Sequence, residues 1–231
     1  MTVLAIDTSN DCLGIALVDE TKIIGEYMTN LKKNHSVRAM PAVDYLLKEC
    51  HVQPSDLTKI VVAQGPGSYT GVRIGVTIAK TLAWARNIPL TGVSSLEVLA
   101  LNGRFFDGLI CPLFDARRGR VYTGLYEFKE NILCVKEDRN ILLEDWLNEI
   151  KQLKKRVLFL GNDVSLHLDL IKEIMGELAV IGDPSLHQPR PGLLGLLGMT
   201  REAVNVHQFV PNYLRLAEAE AKWIEQQKTS T

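Results

Sequence analysis

The order of secondary-structure elements read from hydrophobic periodicity repeats within the chain, and an internal repeat of this length leaves few folds open. Residues 3–6 form a short apolar run, residues 13–18 alternate, and residues 22–28 make a third extended stretch. An amphipathic helix is predicted over 37–50, with Ala39, Met40, Val43, Leu46, Leu47 and Cys50 on one face; Pro41 leaves its start open. A buried-type strand at 59–63, a long helix at 70–86, a strand at 88–93 and a short helix at 95–102 follow. The second half opens the same way, with strands at 109–114, 121–128 and 132–135, a helix at 144–153, a strand at 156–160, a helix at 164–175 and a strand at 178–181. Each first strand ends in an aspartate, Asp7 and Asp115, and each runs into a hairpin. The expectation is an α/β protein built from a duplicated βββαβα unit in two lobes. Residues 1–102 would form the N-terminal lobe and 105–206 a reduced C-terminal lobe, the latter including a Pro-rich linker at 184–191 and a helix at 192–206. A closing polar helix at about 213–228 is expected to return to the first lobe.

Charge and composition bound the function. With 26 Lys and Arg against 27 Asp and Glu, the chain has no bulk basic field to hold nucleic acid, so any RNA contact is local, weak or indirect. Small basic clusters at 32–33, 117–120 and 151–156 read as solvated faces. Hydrophobic residues at 46% and charged ones at 23% exclude a disordered or fibrous chain. Cys12, Cys50, Cys111 and Cys134 form no CxxC pair, and the five histidines form no HExxH or Cys/His cluster, so no metal site is expected. No uncharged apolar run approaches the roughly 18–20 residues of a membrane span, and no basic leader precedes Val3; a soluble, cytoplasmic protein is expected.

A duplicated βββαβα unit with an Asp closing each first strand is the pattern of the ribonuclease H-like and actin-like superfamily, which includes acetate kinase, sugar kinases, Hsp70 and actin. There the hairpins grip a nucleotide phosphate and the carboxylates hold Mg²⁺ or its water shell. Asp7, Thr8 and Ser9 resemble the first phosphate hairpin, and with Asp115 they are the candidate remnant of a phosphate and Mg²⁺ cleft. The competing reading of Asp7 is a strand-end residue that caps its own turn through Thr8 and Ser9. Asp115 is followed by Ala116, Arg117 and Arg118 where close backbone approach to a phosphate would want glycine. The run Gly65-Pro66-Gly67-Ser68-Tyr69-Thr70-Gly71 is GxGxxxG, neither a Walker loop nor a dinucleotide fingerprint. It reads as a tight strand-to-helix turn capped by Ser68 or Thr70.

The helix at 70–86 carries two apolar faces, one of Ile74, Ile78, Leu82 and Ala85 and one of Val72, Val76, Ala79 and Ala83. A helix apolar around most of its circumference is covered on two sides. Either the domain's own core wraps both faces or a partner protein covers the second, and for a partner Gly75, Ala79 and Ala83 would let another helix approach closely.

From end to end the sequence resembles the bacterial TsaB (YeaZ) family, in LAIDTS, HSVRAMPAVDYLL, VVAQGPGSYTGVRIGVTIAKTLA, GVSSLEVLA, PLFDARRGRVY and VPNYLRLAEAE. The resemblance implies the actin-like fold and a role as the dimerisation subunit of the machinery that makes N6-threonylcarbamoyladenosine in tRNAs reading ANN codons. It implies as partners the catalytic paralogue TsaD and the ATPase TsaE, with a homodimer in isolation, and it implies that the helix at 70–86 forms the partner interface through Val72, Val76, Ala79 and Ala83. The paralogue's metal-binding histidines would stand at Ser95 and Leu99, so the resemblance implies no metal, no catalysis by this chain alone, no tightly bound cofactor, and ATP and Mg²⁺ only in the assembled complex. The alternative is an independent small-molecule kinase or ATPase that uses Asp7 and the Gly65 loop.

Overall fold

The computed structural model of the chain describes residues 1–31 and 34–214. Strands β1 (Thr2–Asp7), β2 (Cys12–Val18) and β3 (Ile23–Asn30) form an antiparallel meander. Helix α1 (His35–Glu49) leads to β4 (Leu57–Ala63), which lies parallel to β1. Helix α2 (Tyr69–Arg86) leads to β5 (Leu90–Val93), parallel to β4. The first sheet thus has the order β3-β2-β1-β4-β5. After the short helix α3 (Ser95–Ala100), strands β6 (Leu109–Asp115), β7 (Arg120–Phe128) and β8 (Ile132–Leu142) repeat the meander. Helix α4 (Leu143–Lys151), β9 (Val157–Leu160), helix α5 (Leu168–Met175) and β10 (Ala179–Ile181) complete a second sheet, followed by α6 (Pro191–Met199). Its order, β10-β9-β6-β7-β8, is the first order read from the other edge. The duplication inferred from element order is present strand for strand, and this is the ribonuclease H-like, actin-like architecture.

Strand β1 lies inside its sheet and is buried on both faces, with alternate residues facing different cores. Leu4 and Ile6 pack with Val43, Leu46, Val72 and Val76 from α1 and α2. Val3 and Ala5 face the other way, with Val61 and Leu194 of α6. Every third residue of α6 on its sheet side is glycine: a methyl group at Gly195 would press on Val18, and one at Gly198 would run into the Val61 side chain. The Lys59 ammonium caps the end of α6, donating to the carbonyls of Met199 (3.1 Å) and Arg201 (2.6 Å).

The lobes exchange helices. Leu96, Leu99 and Ala100 of α3 pack with Ile110, Tyr126 and Leu158 of the second sheet, whereas α6 covers the first. The sequence-based boundaries assign α6 to the second lobe, and its packing corrects them. The predicted helix at 192–206 ends at Met199, and Val204 then bridges Leu90 on the edge of the first sheet. The second lobe keeps five strands, and its reduction lies in α4 and α5, which have 9 and 8 residues against 15 and 18 in α1 and α2. Strand β8 runs to Leu142 rather than stopping at 135, because polar residues pair with β7 as readily as apolar ones on an exposed edge.

Helix α1 begins earlier than Pro41 suggests. Asn34 caps it by accepting from the Ser36 N–H, and Pro41 sits on the exposed side, where water can serve the carbonyl that Pro41 leaves unpaired. Met40, expected in the core, is 42% exposed; Ala42 takes its place. The closing helix expected at 213–228 lies, beyond Leu214, outside the described residues.

Gly198→Ala is expected to destabilise the chain by about 1–3 kcal/mol, the range for overpacking a filled core. Equilibrium denaturant unfolding checks this, and unchanged stability would mean that α6 is not seated on Val61.

Candidate functional site

The first hairpin and the glycine-rich turn are built against each other. The Ser68 N–H donates to the Ser9 carbonyl at 2.7 Å, and the Thr8 hydroxyl donates to the Gly71 carbonyl at 2.7 Å. A methyl group at Gly67 would collide with the Ser9 carbonyl oxygen, one at Gly71 with the Thr8 carbonyl oxygen, and one at Gly75 with the Thr8 hydroxyl. These glycines therefore admit the chain's own backbone where a phosphate-binding loop would admit a ligand. Ser68, of the two candidates, is the N-cap of α2 and accepts from the Gly71 N–H. Behind the turn, the Ser95 N–H donates to the Gly65 carbonyl, and the Ser95 hydroxyl accepts from the Gly65 N–H.

An open cleft of about 680 Å³ separates the lobes, walled by Ser9, Ser68 and Thr70 on one side and Asp115, Arg117 and Asn162 on the other. Of the four residues proposed for a phosphate and Mg²⁺ site, Ser9 and Asp115 line this cleft and Asp7 and Thr8 do not; Ser9, Asp7 and Thr8 are all buried, at 0–1% exposure, so only Asp115 presents an accessible side chain. One Asp7 oxygen accepts from the Ser9 N–H at 2.8 Å, and the other is sealed from solvent without a partner. Burial raises the Asp7 pKa, against the opposing effects of the Ser9 bonds and of His35. The Asp115 carboxylate meets His167 Nε2 at 3.1 Å and accepts from the Arg117 N–H at 3.2 Å; its own N–H donates to Asp163. One strand-end carboxylate is buried and the other is engaged by protein groups. This arrangement does not fit a Mg²⁺–nucleotide held between the two, and the turn-capping reading describes Asp7 better.

Sequence reasoning missed the polar junction between the lobes. The Ser94 hydroxyl and the Tyr126 hydroxyl both donate to Asp138 on β8, and Arg201 pairs with Glu97 of α3 beside them. Burial raises the Asp138 pKa, against the lowering effect of those two bonds. Only Ser94 carried a local signal, as the N-cap of a helix; Asp138 and Tyr126 reach it through tertiary pairing. Ser95 and Leu99 are buried, and among the described residues no three His, Cys, Asp or Glu side chains gather to hold a metal.

The structure reverses the expected faces of α2. Val72, Val76, Ala79 and Ala83 are 0–3% exposed inside the first lobe's own core, so they are not a docking surface. The small residues fit α2 against the sheet and the hairpin rather than against another helix. The outward face carries Ile74, Ile78 and Leu82, half-buried, with Ala85 and Trp84 exposed, Trp84 at 66%. Helix α1 packs alongside and leaves Val37 and Met40 at 67% and 42% exposure.

A protein-family model described as "TsaD: tRNA N6-adenosine threonylcarbamoyltransferase" matches residues 22–223. The tRNA threonylcarbamoyladenosine biosynthesis protein TsaB of Bacillus subtilis is 62% identical over 99% of this chain and 100% of its own length. The chain belongs to the TsaB family. The Escherichia coli TsaB is 30% identical over 75% of this chain and 76% of its own. The solved structure of YeaZ from Pseudomonas aeruginosa superposes with a TM-score of 0.77 at 28% identity, covering 92% of this chain and 99% of that one.

Because ionised Asp7 is disfavoured in the folded state, folding stability falls as pH rises from about 4 through the raised folded pKa. Asp7→Asn keeps the Ser9 bond and removes the buried charge. It is expected to be more stable than the parent at pH 7, with an advantage that shrinks toward pH 4. Urea unfolding across that range measures it, and a variant less stable at pH 7 would mean that the carboxylate has a stabilising partner.

Proposed function

We propose that this chain is a non-catalytic docking subunit of the assembly that forms threonylcarbamoyladenosine in tRNAs reading ANN codons. Membership of the TsaB family ties it to that biosynthesis. The observation that carries the docking role is the apolar surface left on two helices that touch each other, Ile74 half-buried and Trp84 exposed on α2 and Val37 and Met40 exposed on α1. A surface of this kind on two packed helices suits a partner that presents helices of its own. The partner is the catalytic paralogue TsaD, with the ATPase TsaE joining the assembly, and without TsaD the same face pairs two copies of this chain. Catalysis, metal and nucleotide belong to the partners in this reading, and the chain holds no tight cofactor of its own. It works in the cytoplasm; among the described residues no helix is long and apolar enough to cross a membrane. The committed carboxylates and the filled glycine turn count against an independent kinase or ATPase.

Ile74→Arg combined with Trp84→Arg is expected to abolish co-purification with TsaD while leaving thermal unfolding near the parent's, because Ile74 is only half-buried and Trp84 is exposed. Val76→Arg, placed in the core, is expected to unfold the lobe instead. A doubly substituted outer face that still binds TsaD at parental affinity would put the docking surface elsewhere.

A further inference from the structure

Asp115 marks the end of the second sheet that faces the cleft; Leu109, Glu127 and Val157, paired in register, mark the opposite end. Three segments meet there. Residues 104–108 precede β6, the turn at 129–131 joins β7 to β8, and residues 151–156 join α4 to β9. The Leu109 N–H donates to the Arg156 carbonyl at 2.9 Å, and the Arg156 guanidinium lies 5.3 Å from the Phe106 ring centre. Lys155 and Lys129 hold Glu127 between them, at 3.3 and 3.5 Å. All residues from Lys151 to Arg156 are exposed, and Lys151 and Lys154 have no ion-pair partner among the described residues. The Arg104 guanidinium sits 4.7 Å from the ring centre of Phe105, which at 87% is the most exposed large hydrophobic among the described residues.

Ordinary structural roles account for part of this end. Lys151 lies in the last turn of α4, where a cation complements the helix dipole, and Lys155 serves Glu127. Arg104 donates one N–H to the Leu101 carbonyl at 3.2 Å, which leaves over the rest of its fork, Lys154, Arg156 and the bare ring of Phe105. The acids at this end are Asp107, Glu130 and, just before β10, Glu177, with Glu127 already paired; the Lys and Arg residues at 104, 129, 151, 154, 155 and 156 outnumber these carboxylates, so the surface is locally cationic on a chain whose net charge is -1. Guanidiniums and ammoniums at the end of a sheet that also carries an exposed ring are the chemistry that holds a phosphate backbone and stacks an unpaired base. A protein interface would bury Phe105 and Arg104 but is depleted in lysine, whereas this end is rich in it.

We infer that this end of the second lobe contacts the RNA substrate, with Arg104, Lys151, Lys154 and Arg156 on the phosphate backbone and Phe105 stacked on an unpaired base. The inference rests on the reading of the chain as a subunit of a tRNA-modifying assembly. The test is fluorescence anisotropy of labelled, unmodified tRNA with the assembly of this chain and TsaD, at several salt concentrations. Two variants are compared with the parent: one combines Lys151→Glu, Lys154→Glu and Arg156→Glu, and the other is Phe105→Ser. The charge variant is expected to bind about tenfold or more weakly and to flatten the slope of log affinity against log salt by roughly 2, near 0.7–0.9 for each lost phosphate contact. Phe105→Ser is expected to weaken binding roughly fivefold or more with the slope unchanged. Parental affinity and slope in both variants would overturn the contact. So would loss of TsaD from the charge variant, which would make this end a protein-docking face. If the outer face of α2 proves unnecessary for TsaD binding, the docking reading fails while the anisotropy result still stands.

Discussion

Backbone seated on backbone sets the geometry of the first lobe. The carbonyl oxygens of Thr8 and Ser9 occupy the space that side chains would fill at Gly71 and Gly67, and the Thr8 hydroxyl fills that at Gly75. The contact draws the start of α2 down onto the first hairpin, which turns Val72, Val76, Ala79 and Ala83 into the core, sets Ile78 and Leu82 at its edge and leaves Ile74 half-buried and Trp84 exposed. It also uses the glycine turn for packing. The same sequence run thus removes a phosphate cradle and presents a helix face, and both effects favour a subunit that binds proteins over one that turns over a nucleotide.

The two lobes are joined by more than a linker. Helix α3 leaves the first half to pack on the second sheet, α6 leaves the second half to cover the first, and the bonds from Ser94 and Tyr126 to Asp138 fasten the crossing. A polar junction of this kind is costly unless every member is satisfied, and both Asp138 oxygens have a hydroxyl donor. The cleft between the lobes is lined by the first hairpin, the start of α2 and the loops after β6 and β9 rather than by the exchanged helices, while the cationic end of the second sheet lies at the far side of that lobe.

Much of this was legible in the sequence, for reasons that differ by element. The duplicated order was readable because alternating and helical periodicities are local, and the aspartates closing β1 and β6 marked equivalent positions in both halves. The destination of α6 was not readable: its glycines at 192, 195 and 198 signal close approach, but nothing local says to which sheet. The faces of α2 were misassigned for a related reason. Small residues mark close approach whether the neighbour is a sheet, a hairpin or another helix, and Gly75 meets Thr8. At the candidate cleft, the strand-end positions of the aspartates were readable and their exposure was not. Asp7 sits at the end of a strand as expected, yet whether its second oxygen faces solvent or the interior depends on how Ser9 folds over it. The Asp115 pairing with His167 spans 52 residues and leaves no local trace.

The claim at the centre of this account is that the chain is needed for the reaction without performing it. Threonylcarbamoyl transfer to tRNA, reconstituted from this chain, TsaD, TsaE and threonylcarbamoyl-AMP with each protein omitted in turn, tests that most directly. Transfer should require this chain together with TsaD, and this chain alone should give none. Full transfer in its absence, or transfer by this chain without TsaD, would contradict the account.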